Sequence, residues 1–152
     1  MPTVLDSVSN LDFTPATQLH PSPADWRDQF IYFLLVDRFD NNAAAIPAYQ
    51  PGATITARQP DAGHIFQGGK LKGITRRLDY LKGLGCTTIW LSPILKNRKG
   101  LNESYHGYGI QDFLEVDSHF GTLEDLQDLT AAAHQRGMYV ILDVVLNHTG
   151  DV

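Results

Sequence analysis

The sequence has one cysteine, Cys86, so no disulfide can form within the chain and no cysteine-based metal site is available. This is compatible with a reducing compartment. It has no cluster of Lys or Arg, and its net charge is −5, which argues against nucleic acid and anionic membrane as partners. It has no apolar run long enough to span a bilayer. The first Arg or Lys is Arg27 and no apolar segment of signal type precedes it, so the N-terminus does not read as secretory and the expected location is cytoplasmic. No phosphate-binding loop, dinucleotide fingerprint, G-x-S-x-G elbow or HExxH pair is present, and GGKLKG lacks the spacing such loops require. Internal repeats and low-complexity segments are also missing.

What is present suits a folded domain. Hydrophobic residues make up 43% and charged residues 19% of 152 residues, the balance of a globular chain with a real core. Residues 1–24 carry Pro2, Pro15, Pro21 and Pro23 without a lasting period and read as a loose leader. FIYFLLV (30–36) is a continuous apolar run of strand length, suited to burial on both faces. From 70 to 84 the period changes: Leu71, Ile74, Leu78, Leu81 and Leu84 make one helical stripe, and Gly85 sits where a C-terminal cap belongs. TTIWL (87–91) reads as a second strand that Pro93 stops. DFLEVD (112–117) alternates and predicts a short extra strand. Thr122 is an N-cap ahead of Leu123, Leu126, Leu129 and Ala133, Gly137 ends that helix, and MYVILDVVL (138–146) is the third main strand.

The order β, α, β, α, β predicts a parallel sheet. The helix-to-strand turns are very short, whereas the strand-to-helix loops run to about thirty residues, far above the usual length. Long loops on one side place a working face at the strand C-termini, where open α/β sheets and (β/α)8 barrels both keep their sites. The expected fold class is α/β, a partial (β/α)8 TIM barrel: its first two and a half βα units, with long βα loops, over residues 25–152.

Candidate chemistry lies at these loops. Asp143 follows five apolar residues, and a carboxylate buried that deeply must be paired or hydrogen-bonded. It reads equally as a loop-holding acid and as an active-site acid. Asn147 offers an oxygen to a hard cation such as Ca2+, and His148 offers two ring nitrogens to sugar hydroxyls, a proton or a metal, although a lone histidine is more often an ordinary loop residue. SYHGYGIQDF (104–113) sets His106, Tyr108 and Asp112 around two glycines, and an aromatic ring beside hydroxyl-bonding groups suits a sugar. VDRFDNN supplies Asp37, Asn41 and Asn42, which read as a calcium loop or as an Asx-rich turn. His20, His64, His119 and His134 lack clustered acidic partners and read as surface or packing residues.

Four stretches in order, IYFLLVDRFDN, GITRRLDYLKGLGCTTIWLSPI, YHGYGIQDFLEVDSHFGTLEDL and RGMYVILDVVLNH, resemble the α-amylase family of glycoside hydrolases. The last carries the family's D-x-x-x-N-H block. The resemblance covers roughly residues 30–150 and implies retaining chemistry on a (β/α)8 barrel that acts on the α-glucosidic bonds of an α-glucan or maltooligosaccharide. It implies that Asp143 is a supporting active-site acid, that His106, Tyr108 and His148 bind the sugar, and that Asn147 is a ligand of Ca2+. Gly109 departs from the family, many of whose members carry Trp there. The nucleophile and general acid are implied on later strands, so no catalytic carboxylate is expected within this chain and the piece alone is expected to be inactive. The alternative is a short protein that binds carbohydrate or a partner without catalysis.

Overall fold

The computed structural model describes residues 12, 14, 19–43, 66–98 and 102–150. Most of the expected leader, His64 and the middle of the first loop lie outside these residues. Strand β1 (Ile31–Leu34) leads into a single helical turn, α1 (Val36–Phe39). Helices α2 (Leu71–Arg76) and α3 (Leu78–Gly83) precede β2 (Thr88–Leu91). A short strand β3 (Leu95–Asn97) and a longer one, β4 (Ile110–Val116), occupy the second loop, followed by α4 (Leu123–Gln135) and β5 (Tyr139–Leu142).

β1, β2 and β5 form a parallel sheet with β2 in the centre. The pattern-based expectation of a parallel α/β sheet therefore holds. Phe33, Trp90 and Ile141 stand in register across it. Leu34, Ile89 and Leu91 pack with Leu71, Ile74, Leu78 and Leu81 of the first helical pair and with Leu129 and Ala133 of α4. The same helical spacing that was legible in the sequence is thus the face that meets the sheet. Leu84 and Leu123, at the ends of those stripes, are exposed.

The opposite sheet face is open. Ile31, Phe33 and Trp90 are 40%, 46% and 39% exposed, so β1 is not buried on both faces as its unbroken apolar run predicted. At its N-terminal end that face is partly covered: Thr88 is buried, and the Trp26 ring lies 5.8 Å from that of Tyr139. The strands are also shorter than the apolar runs. Val36 leaves the sheet because its N–H donates to Ser92 Oγ at 3.1 Å and the chain turns into α1. β5 ends at Leu142 because β2 has little beyond Leu91 to offer: the Asp143 N–H reaches Leu91 O at 3.3 Å, and Pro93 stops the neighbour.

The helix expected over 70–84 is broken at Arg77, whose backbone (φ −101°, ψ 5°) departs from helical values. Successive side chains on a regular helix diverge by about 100°. At the break, Arg76 and Arg77 instead reach the same carboxylate, Asp40, at 2.6 and 2.7 Å. Gly85 and Gly137 follow the helices at φ 91° and 69°, left-handed conformations that close a helix with little cost only for glycine. Thr122 caps α4 reciprocally: its Oγ1 accepts from the Asp125 N–H at 3.2 Å, and Asp125 Oδ2 accepts from the Thr122 N–H at 3.1 Å.

β3 pairs antiparallel with β4. The alternating DFLEVD run is the C-terminal part of β4, whereas β3 lies where a loop was expected. Of the expected leader, His20 stacks on His134 at 3.8 Å. His119 stacks on Phe66 at 3.9 Å, but it does not lack an acidic partner: its Nδ1 lies 2.7 Å from Asp117 Oδ1.

Candidate functional site

Three segments converge beyond the C-terminal ends of the parallel strands. α1, after β1, carries Arg38, whose guanidinium lies 4.1 Å from the centre of the Tyr105 ring. The loop after β2 carries Tyr105, His106 and Tyr108. The segment after β5 carries Asp143, Asn147 and His148. The Tyr108 hydroxyl donates to Asp143 Oδ2 at 3.0 Å, joining two segments that are far apart in sequence. Burial, then this hydrogen bond and the Asp143 charge, push the Tyr108 phenol pKa up, so it stays protonated and remains a donor.

The two histidines have defined tautomers. His106 Nδ1 accepts from the Tyr108 N–H at 2.9 Å, so its proton sits on Nε2, and burial lowers its pKa, which keeps it neutral. His148 Nε2 lies 3.1 Å from the Tyr108 carbonyl oxygen and must donate there; Nδ1 then accepts from Asn147 Nδ2 at 3.3 Å. Both ring nitrogens of His148 are thus engaged within the chain, and a sugar hydroxyl would bind it by replacing one of these partners.

Asp143 is half-buried, not deeply buried as the apolar run before it predicted. It lies just beyond β5, a strand whose only partner among the described residues is β2. Asp112, expected in the same cluster, lies within β4, where it accepts from the Leu114 N–H at 2.9 Å and faces Lys96 at 3.6 Å.

The loop that presents Tyr108 is braced from below. A methyl group built on Gly107 would lie 2.8 Å from the Pro93 carbonyl carbon, so only glycine lets the loop approach β2 this closely. Asn97, buried at the end of β3, donates from Nδ2 to Gly107 O at 3.2 Å and accepts at Oδ1 from the Gly109 N–H at 2.9 Å. A methyl group on Gly109 would point toward that same amide oxygen, 3.1 Å away. The first atom of a Trp at this position would therefore crowd the brace. Gly150 donates its N–H to Ile110 O at 2.7 Å and brings the end of the described chain against the loop. Arg38 and Asn97 escaped the sequence reading. An aromatic ring in a loop opposite an arginine after a strand is a signal only once the two are known to meet.

In the VDRFDNN run, Val36–Phe39 form α1 and the DNN end folds as successive Asx turns. Asp40 Oδ1 accepts from the Asn42 N–H at 2.7 Å and Asn41 Oδ1 from the Ala43 N–H at 2.9 Å. The Asp37 carboxylate accepts from the Gln67 and Gly68 N–H groups and faces Arg38 at 3.1 Å. A cation at Asp37, Asn41 and Asn42 would have to displace these bonds. Among the described residues no group of three or more His, Cys, Asp or Glu side chains could hold a metal. Ca2+ takes six to eight oxygens. Asn147 would be one donor, and the residues present do not by themselves make a calcium site.

A parallel sheet with helices packed on one face, and a polar, aromatic cluster on loops at the strand C-termini, defines an α/β domain with a candidate site at that edge. The particular family follows from comparison. The model of the α-amylase catalytic domain matches residues 33–152. The α-amylase of Streptomyces lividans is 50% identical over 103 residues, which cover 64% of this chain and 11% of that protein. The α-amylase of Geobacillus thermoleovorans, solved in complex with acarbose, is 47% identical with a TM-score of 0.66, over 82% of this chain and 24% of that one. A cyclomaltodextrin glucanotransferase with a three-domain ABC distribution is 38% identical with a TM-score of 0.65, over 80% and 26%. The chain belongs to the α-amylase family, and it spans 11% to 26% of the length of these relatives. No helix among the described residues is long and apolar enough to cross a membrane.

Proposed function

We propose that these residues form the first part of a (β/α)8 barrel in a retaining glycosidase that acts on α-glucans, and that they line its sugar site. One observation carries the reading: the Tyr108 hydroxyl sits on Asp143 with His106 and His148 bonded to the Tyr108 backbone on either side. A half-buried aromatic ring ordered by a carboxylate, between two imidazoles, matches what a pyranose needs. Its C–H face stacks on a ring, and its hydroxyls require donors and acceptors. Tyr108 is the stacking ring, His106 and His148 bind hydroxyls, and Asp143 holds Tyr108 and orients neighbouring groups. Asn147 would supply one oxygen to a Ca2+ whose other ligands lie outside these residues.

Retaining hydrolysis needs two carboxyl groups about 5–5.5 Å apart. Among the described residues Asp143 is the carboxylate bonded within this cluster, and it is committed to Tyr108. On this reading the nucleophile and general acid come from the rest of the catalytic domain. The purified 152-residue chain is expected to release no reducing sugar from a maltooligosaccharide, whereas the protein that carries it with the rest of the catalytic domain does. Reproducible turnover by the 152 residues alone would overturn this division of labour. Failure of the longer protein to cleave any α-glucan would overturn the assignment itself.

A further inference from the structure

We infer that Asn97, seated by Asp117, is a positioning residue that sets the Tyr108 hydroxyl on Asp143. The inference rests on the reading that Tyr108 and Asp143 work together in the sugar site, and it extends the site to two residues that touch neither ligand nor reacting atoms.

The geometry is a bracket. The peptide units on the two sides of Tyr108 both end on one side-chain amide: Gly107 O accepts from Asn97 Nδ2 and the Gly109 N–H donates to Asn97 Oδ1. The remaining Nδ2 hydrogen goes to Leu95 O at 2.8 Å. Asn97 is 3% exposed, so none of these groups has water as a substitute. An amide presents a donor and an acceptor in one rigid plane, and of the short side chains only Asn fits a carbonyl and an N–H two residues apart.

The bracket is itself held. Asp117, 5% exposed, accepts from the Asn97 N–H at Oδ2 (2.9 Å) and from the His119 N–H at Oδ1 (2.8 Å). The His119 ring Nδ1 lies 2.7 Å from the same Oδ1, and the Asp117 N–H donates to Ile94 O at 2.8 Å. A chain of direct bonds thus runs from His119 through Asp117 and Asn97 to the backbone on both sides of Tyr108, and through the phenol to Asp143. With both flanking peptides fixed, the Tyr108 ring has little freedom except its own side-chain torsions. Losing the bracket frees the backbone and lets the hydroxyl leave Asp143.

The test combines two readouts. In the intact enzyme that carries this chain, Asn97→Ala is expected to lower kcat/KM by about 10-fold or more, while in a Tyr108→Phe background the same change costs less than about 2-fold. Losses that multiply would show that Asn97 acts through stability alone and would overturn the inference. The second readout needs no activity. With carbon-13 label on the tyrosine ring carbon that bears oxygen, the Tyr108 phenol is expected to titrate lower in Asn97→Ala than in the parent, while the other tyrosines stay put. Gly109→Ala perturbs the same bracket more mildly, because its methyl group meets Asn97 Oδ1 at 3.1 Å, and it decides the question if Asn97→Ala does not fold. It is expected to shift Tyr108 in the same direction by less. An unmoved Tyr108 titration in a folded variant overturns the inference. An enzyme without activity would sink the proposed function and leave this titration to decide the bracket.

Discussion

Replacing Gly73 by alanine sets two effects of opposite sign against each other. Gly73 lies inside α2, where alanine is favoured over glycine by about 1 kcal/mol. Against that, a methyl group there would lie 2.7 Å from the Asp40 carbonyl carbon and 2.9 Å from Asp40 Cβ, and closer still to the carbonyl oxygen. Contacts this short require the backbone after β1 to retreat from α2. Inserting a methyl into a packed contact costs about 1–3 kcal/mol. The retreat also strains the Lys70 N–H bond to Asp40 O (2.8 Å), worth about 1 kcal/mol. The Arg76 and Arg77 bonds to the Asp40 carboxylate are strained as well, and hydrogen bonds to charged groups are worth about 1.5–3 kcal/mol each. Both arginines are about a quarter exposed, so the lower end applies. With these bonds weakened and not broken, the balance is a loss of about 2–4 kcal/mol. At a urea dependence of about 2 kcal/mol per molar, the midpoint should fall by roughly 1–2 M. Gly83→Ala is the control. It lies at the end of α3 with nothing within 4 Å of a built methyl, so it should raise the midpoint slightly. Equal or greater stability for Gly73→Ala would refute the reasoning and show that propensity, not the approach of Asp40, decides. The stakes reach the site, because α1 carries Arg38 onto Tyr105 and rests on this contact.

Three further outcomes follow from the same geometry. Burial lowers the His106 pKa below 6.5, so the unfolded chain takes up a proton before the folded one does. Stability should be full above that value and fall as pH drops through it; His106→Gln should flatten the profile of urea midpoints between pH 8 and 5, leaving the slope of like sign that His134 contributes through its own burial and the charge of His20. Burial alone would raise the Asp40 pKa, but the bonds from Arg76, Arg77 and the Asn42 N–H outweigh it and hold the carboxyl below its ordinary 3.8. Asp40 stabilisation should therefore be present above that value and disappear as pH falls through the lower folded one, and Asp40→Asn should cost about 1–3 kcal/mol at neutral pH and lose this acid sensitivity. Thr122→Ala should cost about 1 kcal/mol by urea denaturation and speed hydrogen exchange at the Asp125 amide, which loses its Oγ1 acceptor.

How much was legible depends on how local the cause is. The stripes Leu71 to Leu81 and Leu126 to Ala133, the Thr122 cap and the Gly85 and Gly137 stops were readable because each is set within a few residues. The break at Arg77 was not, because its cause is Asp40, which precedes it by a loop of more than thirty residues. The three-residue strand β3 shows no period, and it exists through its pairing with β4. The burial of β1 and Asp143 was overstated for one reason: an apolar run reports what a strand is suited to pack against, not whether that cover is present. In the site, Tyr108, His106, Asp143 and His148 stood out by residue type and by family resemblance. Their mutual bonds did not, and neither did Asn97, a plain loop asparagine until its three partners are placed around it.

The open side of the sheet gives the molecule an optical signal. Trp90 sits on that face, 39% exposed and edge-on to Phe33 at 5.4 Å, and the sequence has only one other tryptophan, Trp26. Indole emission follows the polarity around the ring. With Trp26 replaced by phenylalanine, the colour of the remaining fluorescence would report directly on whatever is laid against Phe33 and Trp90. Docking of further polypeptide would move it to the blue as water leaves the ring. Such a label requires no chemistry, and it watches the strands whose C-terminal ends carry the Tyr108 and Asp143 loops.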